Sequence, residues 1–291
     1  MSTIVLTKKI SAVSDLIRLT RQYGTILVLC PTLWSLYMAS GGLPSPKLLA
    51  IFIAGTFLMR SAGCVVNDIA DRDFDRYVER TKRRPLADGR LGRREAIIVF
   101  VVLCLAAFSL VLFLNRVTII LAFAGLFLAI IYPFIKRISH FPQVFLGIAF
   151  GWGAIMAWSA VRNSIGAEAI LIFVANIFWS TAYDTVYAMM DIDDDRKIGV
   201  KSTAIFFGRH IYKVIVILQT CFVAFLVLAG LAGGLGFPFY LTLLVVFFIL
   251  SYMVFRLKQS PTREVAFSVF VANCAIGAMI FIGIVLSVRV G

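Results

Sequence analysis

The stretch KLLAIFIAGTFLMRSAGCVVNDIADRDFD, residues 47–75, combines two contrasting features. Residues 48–66 are apolar or small except for Arg60, whereas residues 67–75 carry four aspartates. A run of about 20 apolar residues is the length that crosses the hydrocarbon core of a bilayer as a helix. The stretch therefore predicts a membrane-spanning helix that ends in a cluster of carboxylates.

The rest of the chain repeats the membrane pattern. Its 291 residues are 61% hydrophobic and 15% charged, with a mean hydropathy of +0.96. A soluble domain has about 45–50% apolar and about 25% charged residues, so this composition excludes a soluble globular protein. The sequence predicts an all-α, polytopic membrane protein in a single domain, residues 1–291. The nine predicted spans are 23–40, 47–66, 96–114, 117–135, 141–161, 167–189, 210–230, 237–257 and 264–287.

The basic residues are concentrated in alternate loops of the chain. The net charge of +13 would suggest a nucleic-acid partner in a soluble protein, but here 23 of the 28 Lys and Arg residues fall in the N-terminal segment and in alternate loops. The other side has only Lys47, Arg116, Arg162 and Arg289. Basic loops stay in the cytoplasm. The pattern predicts a cytoplasmic N-terminus and a periplasmic C-terminus in a bacterial inner membrane, and no nucleic-acid partner.

The acidic residues concentrate in two segments on the predicted cytoplasmic side. Twelve of the 15 lie in 67–95 and 184–195, within the two Asp-rich loops 67–95 and 184–209. Carboxylates at a membrane boundary are costly to desolvate and indicate a functional site. On a helix, Asn67, Asp71 and Asp75 are spaced i, i+4 and i+8 and share one face.

The second segment has a similar spacing, with Asp184, Tyr187, Asp191 and Asp195 at i, i+3, i+7 and i+11. Two facing stripes of carboxylates repel each other unless cations lie between them. Mg²⁺ prefers oxygen ligands and binds carboxylates together with substrate phosphates. The spacing therefore favours a site for Mg²⁺ and a diphosphate. A solvated surface is the preferred interpretation of Asp73, Glu79, Asp88, Glu95 and Asp193, and Asp194 is left open.

At these residues the sequence resembles the UbiA superfamily of intramembrane aromatic prenyltransferases. The first motif of that superfamily, NDxxDxxxD, is matched by Asn67, Asp68, Asp71 and Asp75, and a second motif, DxxxD, by Asp191 and Asp195. The resemblance is greatest to the branch that acts on 4-hydroxybenzoate in ubiquinone synthesis. The stretches that carry this are 84–86, 132–137, 142–144, 151–152 and 197–204.

The resemblance implies a polyprenyl diphosphate donor, a 4-hydroxybenzoate acceptor, Mg²⁺ as cofactor and a site open to membrane lipid. It implies that the metal ligands are Asn67, Asp71, Asp75, Asp191 and Asp195. The diphosphate would contact Arg72, Lys136, Arg137 and Lys201. Arg137 joins the four aspartates Asp71, Asp75, Asp191 and Asp195 as a predicted catalytic residue. For the aromatic acceptor, the candidates are Arg60, Arg18 and Tyr187.

The implied reaction is ionisation of the allylic C–O bond, attack on the cation by the ring carbon ortho to the phenol hydroxyl, and loss of a proton. Within the superfamily, a naphthoate or haem acceptor is the alternative. Outside it, a cation transporter could use the two acidic stripes as a path, and a soluble-type polyprenyl synthase could use Asp-rich motifs. Acids at one membrane face and nine apolar spans favour the intramembrane prenyltransferase.

Overall fold

The computed structural model describes residues 2–290, with side chains described for residues 7–288. Residues 1 and 291 of the predicted domain, and the Arg289 side chain of the charge pattern, lie outside this part. The described chain is helical and contains no strand. Its helices are α1 (Ser2–Leu16), α2 (Tyr23–Ser40), α3 (Pro46–Asp75), α4 (Arg93–Val111), α5 (Arg116–Ile135), α6 (Pro142–Arg162), α7 (Ala167–Ala188), α8 (Ile192–Ile198), α9 (Thr203–Phe207), α10 (Ile211–Ala232), α11 (Phe237–Gln259) and α12 (Arg263–Val290).

Nine segments within residues 2–290 are long and apolar enough to cross a membrane. They begin with α2 and end with α12, and they confirm the nine predicted spans, so the protein is a multi-span membrane protein. Most helix ends fall within three residues of the predicted ends. The exception is α3, which continues nine residues beyond the apolar run to Asp75. Bilayer thickness limits the length of the apolar run but not the length of the helix. The helix continues because residues 67–75 contain no Gly or Pro.

Local sequence signals fix several helix ends. The hydroxyl of Ser45 accepts a hydrogen bond from the Leu48 N–H at the start of α3, and Pro46 takes the first helical position. Both residues are favoured there, because the hydroxyl pairs a free N–H and proline has none to leave unpaired. Asn115 caps α5 in the same way, accepting from the Thr118 N–H at 3.0 Å.

Three buried aromatic side chains hold the centre of the bundle. The Trp179 ring of α7 lies 5.3 Å, centroid to centroid, from Trp34 of α2 and from Phe222 of α10. Both indole N–H groups are paired: Trp34 donates to the Gly277 carbonyl at 3.0 Å, and Trp179 donates to Asn273 Oδ1 at 2.8 Å. These bonds tie α2 and α7 to α12. A buried indole needs such a partner to avoid an unpaired donor.

The structure adds two features to the sequence-based prediction. Helix α1 was not predicted; it docks on α3 through Ala12 and Leu16, which are fully buried in a cluster with Val65. The second acidic segment is not one continuous helix, because a 3₁₀ turn over Met189–Asp191 separates α7 from α8. A 3₁₀ turn has three residues per turn rather than 3.6, so a simple i, i+7, i+11 projection does not describe this segment.

Candidate active site

A cavity of about 930 Å³ opens at the end of the bundle where both acidic segments lie. Its walls come from α1, α2, α3, α5, α6, α7, α8 and α12, together with the loops after α1, α3, α5 and α8. Elements far apart in sequence therefore meet around one space. The cavity is wide enough to hold a small organic ligand, whose pockets run from about 300 to 1,000 Å³.

The last turns of α3 supply the first acidic stripe. Asn67, Asp71 and Asp75 all line the cavity, as their spacing predicts. Asp71 is 2% exposed and Asp75 is 6% exposed, so these carboxylates are not part of a solvated surface. Asp68 is also buried and lines the same wall.

The second stripe faces the same cavity despite the 3₁₀ break. Asp184 and Tyr187 reach it from α7, Asp191 from the 3₁₀ turn, and Asp195 from α8. Asp191 is 6% exposed. The structure thus brings together the carboxylates of both segments, although the geometry of the second differs from a straight helix.

Arg80 and Arg84, in the loop after α3, join the two stripes. Arg80 forms an ion pair with Asp191, Nη2 to Oδ2 at 2.6 Å, and donates to the Tyr187 hydroxyl at 2.8 Å. Arg84 pairs with Asp75 at 2.9 Å and with Asp68 at 3.1 Å. Paired guanidinium and carboxylate groups at these distances form charge-assisted hydrogen bonds.

These contacts keep both arginines cationic. Burial alone lowers the pKa of an arginine, but the facing groups outweigh it. The carboxylates of Asp68 and Asp75 raise the pKa of Arg84 above its ordinary value, and Tyr187 and Asp191 do the same for Arg80. The cavity therefore holds permanent positive charge next to its aspartates.

Several oxygens in the cavity wall are available to a cation. Asn67 Oδ1, Asp68 Oδ2 and Asp71 Oδ1 are buried without a hydrogen-bond partner. Within residues 7–288, Asp184 and Asp195 make no ion pair, and no cluster of three or more His, Cys, Asp or Glu side chains forms a ready metal site. An all-oxygen set that is incomplete by itself fits Mg²⁺, which takes few protein ligands and completes its shell with phosphate and water.

The predicted acceptor residues also reach the cavity. Arg60 donates to Cys64 Sγ, and its guanidinium lies 5.9 Å from the centre of the Phe150 ring. Arg18 pairs with Asp68 at 2.7 Å, and its backbone adopts a positive φ of 57°. A non-glycine residue is strained in this region, and such strain clusters at functional sites.

The predicted diphosphate contacts divide into two groups. Lys136 pairs with Asp71, and Lys201 lines the cavity while donating to the Ile138 carbonyl at 3.3 Å. Arg72 and Arg137 are not among the lining residues. Arg137 instead donates to the Ala70 carbonyl and lies 5.4 Å from the Phe74 ring centre. It therefore braces the outside of α3, one residue before Asp71.

Sequence reasoning did not single out Arg80 and Arg84 as site residues. They are two of nine basic residues in 67–95. The stretch 84–86 contributes to the resemblance, but residue type alone does not separate the two arginines from Arg76, which does not line the cavity. The available signal was that these two arginines are spaced i, i+4 and lie close to the NDxxDxxxD motif. This spacing alone does not place them in the site, because the loop that carries them must also fold back over α3.

The fold and the cavity define a class: an integral membrane enzyme whose site is a cavity lined by buried carboxylates and by guanidinium groups. The family model described as the UbiA prenyltransferase family matches residues 28–274. Relatives named 4-hydroxybenzoate octaprenyltransferase are 48% identical in Alkalilimnicola ehrlichii (96% of this chain, 94% of the relative) and 50% identical in Pectobacterium carotovorum (92% and 93%). The chain belongs to the UbiA prenyltransferase family, which confirms the sequence-based prediction.

Solved structures agree with this assignment. The apo structure of a UbiA homolog from Aeropyrum pernix K1 superposes with a TM-score of 0.78 at 26% identity, covering 90% of this chain and 97% of the other. A UbiA homolog from Archaeoglobus fulgidus, solved bound to DMAPP and Mg²⁺, has a TM-score of 0.72 at 17% identity, covering 96% and 99%. The second likeness shows a common fold.

Proposed function

We propose that this chain transfers a polyprenyl group from polyprenyl diphosphate to the ring carbon ortho to the hydroxyl of 4-hydroxybenzoate. The products are 3-polyprenyl-4-hydroxybenzoate and diphosphate. The observation that carries the proposal is the cavity itself, in which two stripes of aspartates and a set of arginines face one another inside a membrane protein. Relatives that match nearly the whole chain are named for this acceptor.

The donor's charged end belongs among the aspartates. Asn67, Asp71, Asp75, Asp191 and Asp195 would hold Mg²⁺, and a bound Mg²⁺ would supply Lewis-acid neutralisation of the diphosphate charge. Basic side chains on the same wall would bind the remaining phosphate oxygens through charge-assisted hydrogen bonds. These are Arg80, Arg84, Lys136 and Lys201. For Arg72 and Arg137, which lie outside the cavity lining, a phosphate contact stays a prediction.

The acceptor belongs near Arg60. Four other cations of the cavity wall already pair with carboxylates: Arg18 with Asp68, Arg80 with Asp191, Arg84 with Asp75 and Lys136 with Asp71. Arg60 has no carboxylate within ion-pair distance among the described residues, and the same holds for Arg21, Arg83 and Lys201 of this wall. Because Arg21 and Arg83 are exposed and Lys201 is assigned to the phosphate, Arg60 is the cation that we assign to the benzoate carboxylate. Tyr187, held by Arg80, would contact the ring, and Arg18 acts through Asp68.

The chemistry needs a dry site between these two ends. When the allylic C–O bond breaks, the electron pair leaves with the diphosphate and the prenyl carbon becomes a cation. The ring carbon then forms the new C–C bond, and the ring proton is lost. Tyr23, Tyr183, Tyr187, Phe267 and Phe270 line this part of the cavity. Aromatic faces stabilise a cation and do not react with it as water would.

The site faces the cytoplasm of a bacterial inner membrane in this proposal, and residues 1–291 form one domain with a cytoplasmic N-terminus and a periplasmic C-terminus. The positive-inside asymmetry of the loops supports that orientation. Membrane lipid would surround the polyprenyl tail. The alternative acceptors of the superfamily are less consistent with relatives named for 4-hydroxybenzoate, and a transporter does not fit membership of a prenyltransferase family.

A product assay on membranes that express the chain tests the proposal. We expect 3-octaprenyl-4-hydroxybenzoate from 4-hydroxybenzoate, octaprenyl diphosphate and Mg²⁺. The product should be lost with EDTA and fall by at least about a hundredfold in Asp71→Ala and Asp191→Ala, since each removes a buried charged ligand. Asp73→Ala, at an exposed neighbouring aspartate, is the matched control. Prenylation of dihydroxynaphthoate or haem in place of 4-hydroxybenzoate would overturn the acceptor assignment.

A further inference from the structure

Position 24 of α2 leaves no room for a side chain. Gly24 is buried at the cavity wall. A β-carbon at this position would lie 2.7 Å from Arg60 Nε, 2.9 Å from Arg60 Cζ and closer still to Nη2. Side-chain carbons do not approach other heavy atoms this closely without displacing them. The guanidinium of Arg60 therefore occupies the space that any other residue at position 24 would fill.

Few other contacts fix this guanidinium. Nη1 donates to Cys64 Sγ one turn further along α3, the Phe150 ring lies on another side, and Nε is buried without a hydrogen-bond partner. None of the described carboxylates pairs with Arg60. Its position is thus set by one hydrogen bond and by the shape of the surrounding wall, which includes the space that a side chain at position 24 would occupy.

We propose that Gly24 is a positioning residue for acceptor recognition, and the proposal rests on the function assigned to Arg60 above. The missing side chain allows the Nε and Nη2 side of the guanidinium to lie against α2, and in the proposed function the acceptor carboxylate binds the guanidinium in this position. A methyl group at position 24 moves the guanidinium instead of the helix. The backbone of α2 is held by buried Leu27 and Trp34, whereas the end of an arginine side chain is the mobile partner.

The Gly24→Ala variant separates this role from a role in folding. Alanine favours a helix over glycine, so the substitution should not lower the melting temperature. We expect KM for 4-hydroxybenzoate to rise about tenfold or more, the effect of losing one charge-assisted hydrogen bond. KM for octaprenyl diphosphate and kcat should stay within about twofold. Gly63→Ala, three residues after Arg60 on α3 with open space around it, is the control and should match wild type.

A double-mutant cycle with Arg60→Lys shows whether Gly24 acts through Arg60. Lysine lacks Nη2, the atom that a β-carbon at position 24 would meet first, and its unforked end can move aside, so Gly24→Ala should have a smaller further effect in that background. If Arg60→Lys turns over too slowly for kinetics, calorimetric titration with 4-hydroxybenzoate can be used instead. The cycle is then calculated from the acceptor affinities of the purified wild type, the two single variants and the double variant.

The outcomes are distinct. An unchanged acceptor KM in Gly24→Ala, equal losses for both substrates, or a full effect in the Arg60→Lys background would each overturn the role of Gly24. A wild-type protein that prenylates another acceptor overturns the proposed function instead.

Discussion

The negative charges of the buried carboxylates in the cavity are neutralised by basic side chains without any ligand. Asp68, Asp71, Asp75 and Asp191 each have a basic partner among the described residues. An unpaired charge in this position would cost several kcal/mol of stability. The raised pKa of Arg84 keeps its guanidinium protonated, so Asp68 and Asp75 share a cationic partner at neutral pH. A metal ion or phosphate that binds at Asp71, Asp75 or Asp191 therefore meets a carboxylate that already has a basic partner.

Arg80 carries the clearest consequence at the residue scale. Its side chain pairs with Asp191, bonds to the Tyr187 hydroxyl and lies 4.8 Å from the Tyr187 ring centre. We expect Arg80→Ala to lower kcat/KM for octaprenyl diphosphate about thirtyfold. This corresponds to about 2 kcal/mol, at the low end for a broken ion pair because about a third of the side chain is exposed.

The matched control is Arg76→Ala, an exposed arginine one turn earlier that does not line the cavity, and its kcat/KM should equal that of wild type. Arg80→Lys should fall between the two, because an ammonium keeps the charge but loses the forked pairing with the carboxylate. Equal activity of Arg80→Ala and wild type in this steady-state assay would show that Arg80 is not part of the donor site.

At the scale of elements, the short helix α8 determines where Asp195 points. It follows the 3₁₀ turn and has few neighbours, one of which is the start of α12. Asp194 lies 3.5 Å from Arg263 of α12 and 3.6 Å from Lys197, oxygen to nitrogen. Asp194, whose role the sequence left open, thus connects α8 to α12 and does not line the cavity.

Asp194→Asn should loosen this anchor. We expect the Mg²⁺ concentration for half-maximal activity to rise about threefold, since long, partly exposed ion pairs contribute about 1 kcal/mol or less. Asp193→Asn is the control, because Asp193 is exposed and makes no ion pair among the described residues. A metal titration of both variants that gives identical curves would contradict an anchoring role for Asp194.

The elements differ in how far the sequence determines them. Spans such as α5 and α11 were predicted because bilayer thickness sets the length of an apolar run. The stripe on α3 was predicted because the helix continues without a breaker through Asp75. Contacts between segments distant in sequence were not predicted. Arg80 contacts Asp191, for example, only because the loop after α3 folds over the cavity. Likewise, the close approach of Gly24 to Arg60 depends on how α2 packs on α3, which spacing alone does not show.

For the whole molecule, the position of the cavity at one end of the bundle separates two environments. Its polar wall carries the aspartates and arginines, while Tyr183 connects it to the aromatic centre through an edge-on contact with Trp179, 5.3 Å between ring centres. In the proposed function, the charged diphosphate binds at the polar wall and the apolar chain begins beside the aromatic residues that line the cavity. The proposed function also expects this polar end to face the cytoplasm.

The orientation can be measured with two serines in loops at opposite ends of the bundle. Ser164, between α6 and α7, and Ser260, between α11 and α12, are both exposed. In intact cells, a membrane-impermeant maleimide should label Ser164→Cys from outside at several times the background of the five native cysteines, and should label Ser260→Cys only after lysis. The basic loops predict this because Ser260 lies beside Arg256, Lys258 and Arg263, on the side that the positive-inside rule assigns to the cytoplasm. Labelling with the opposite sidedness would place the aspartates in the periplasm, away from a cytoplasmic supply of polyprenyl diphosphate.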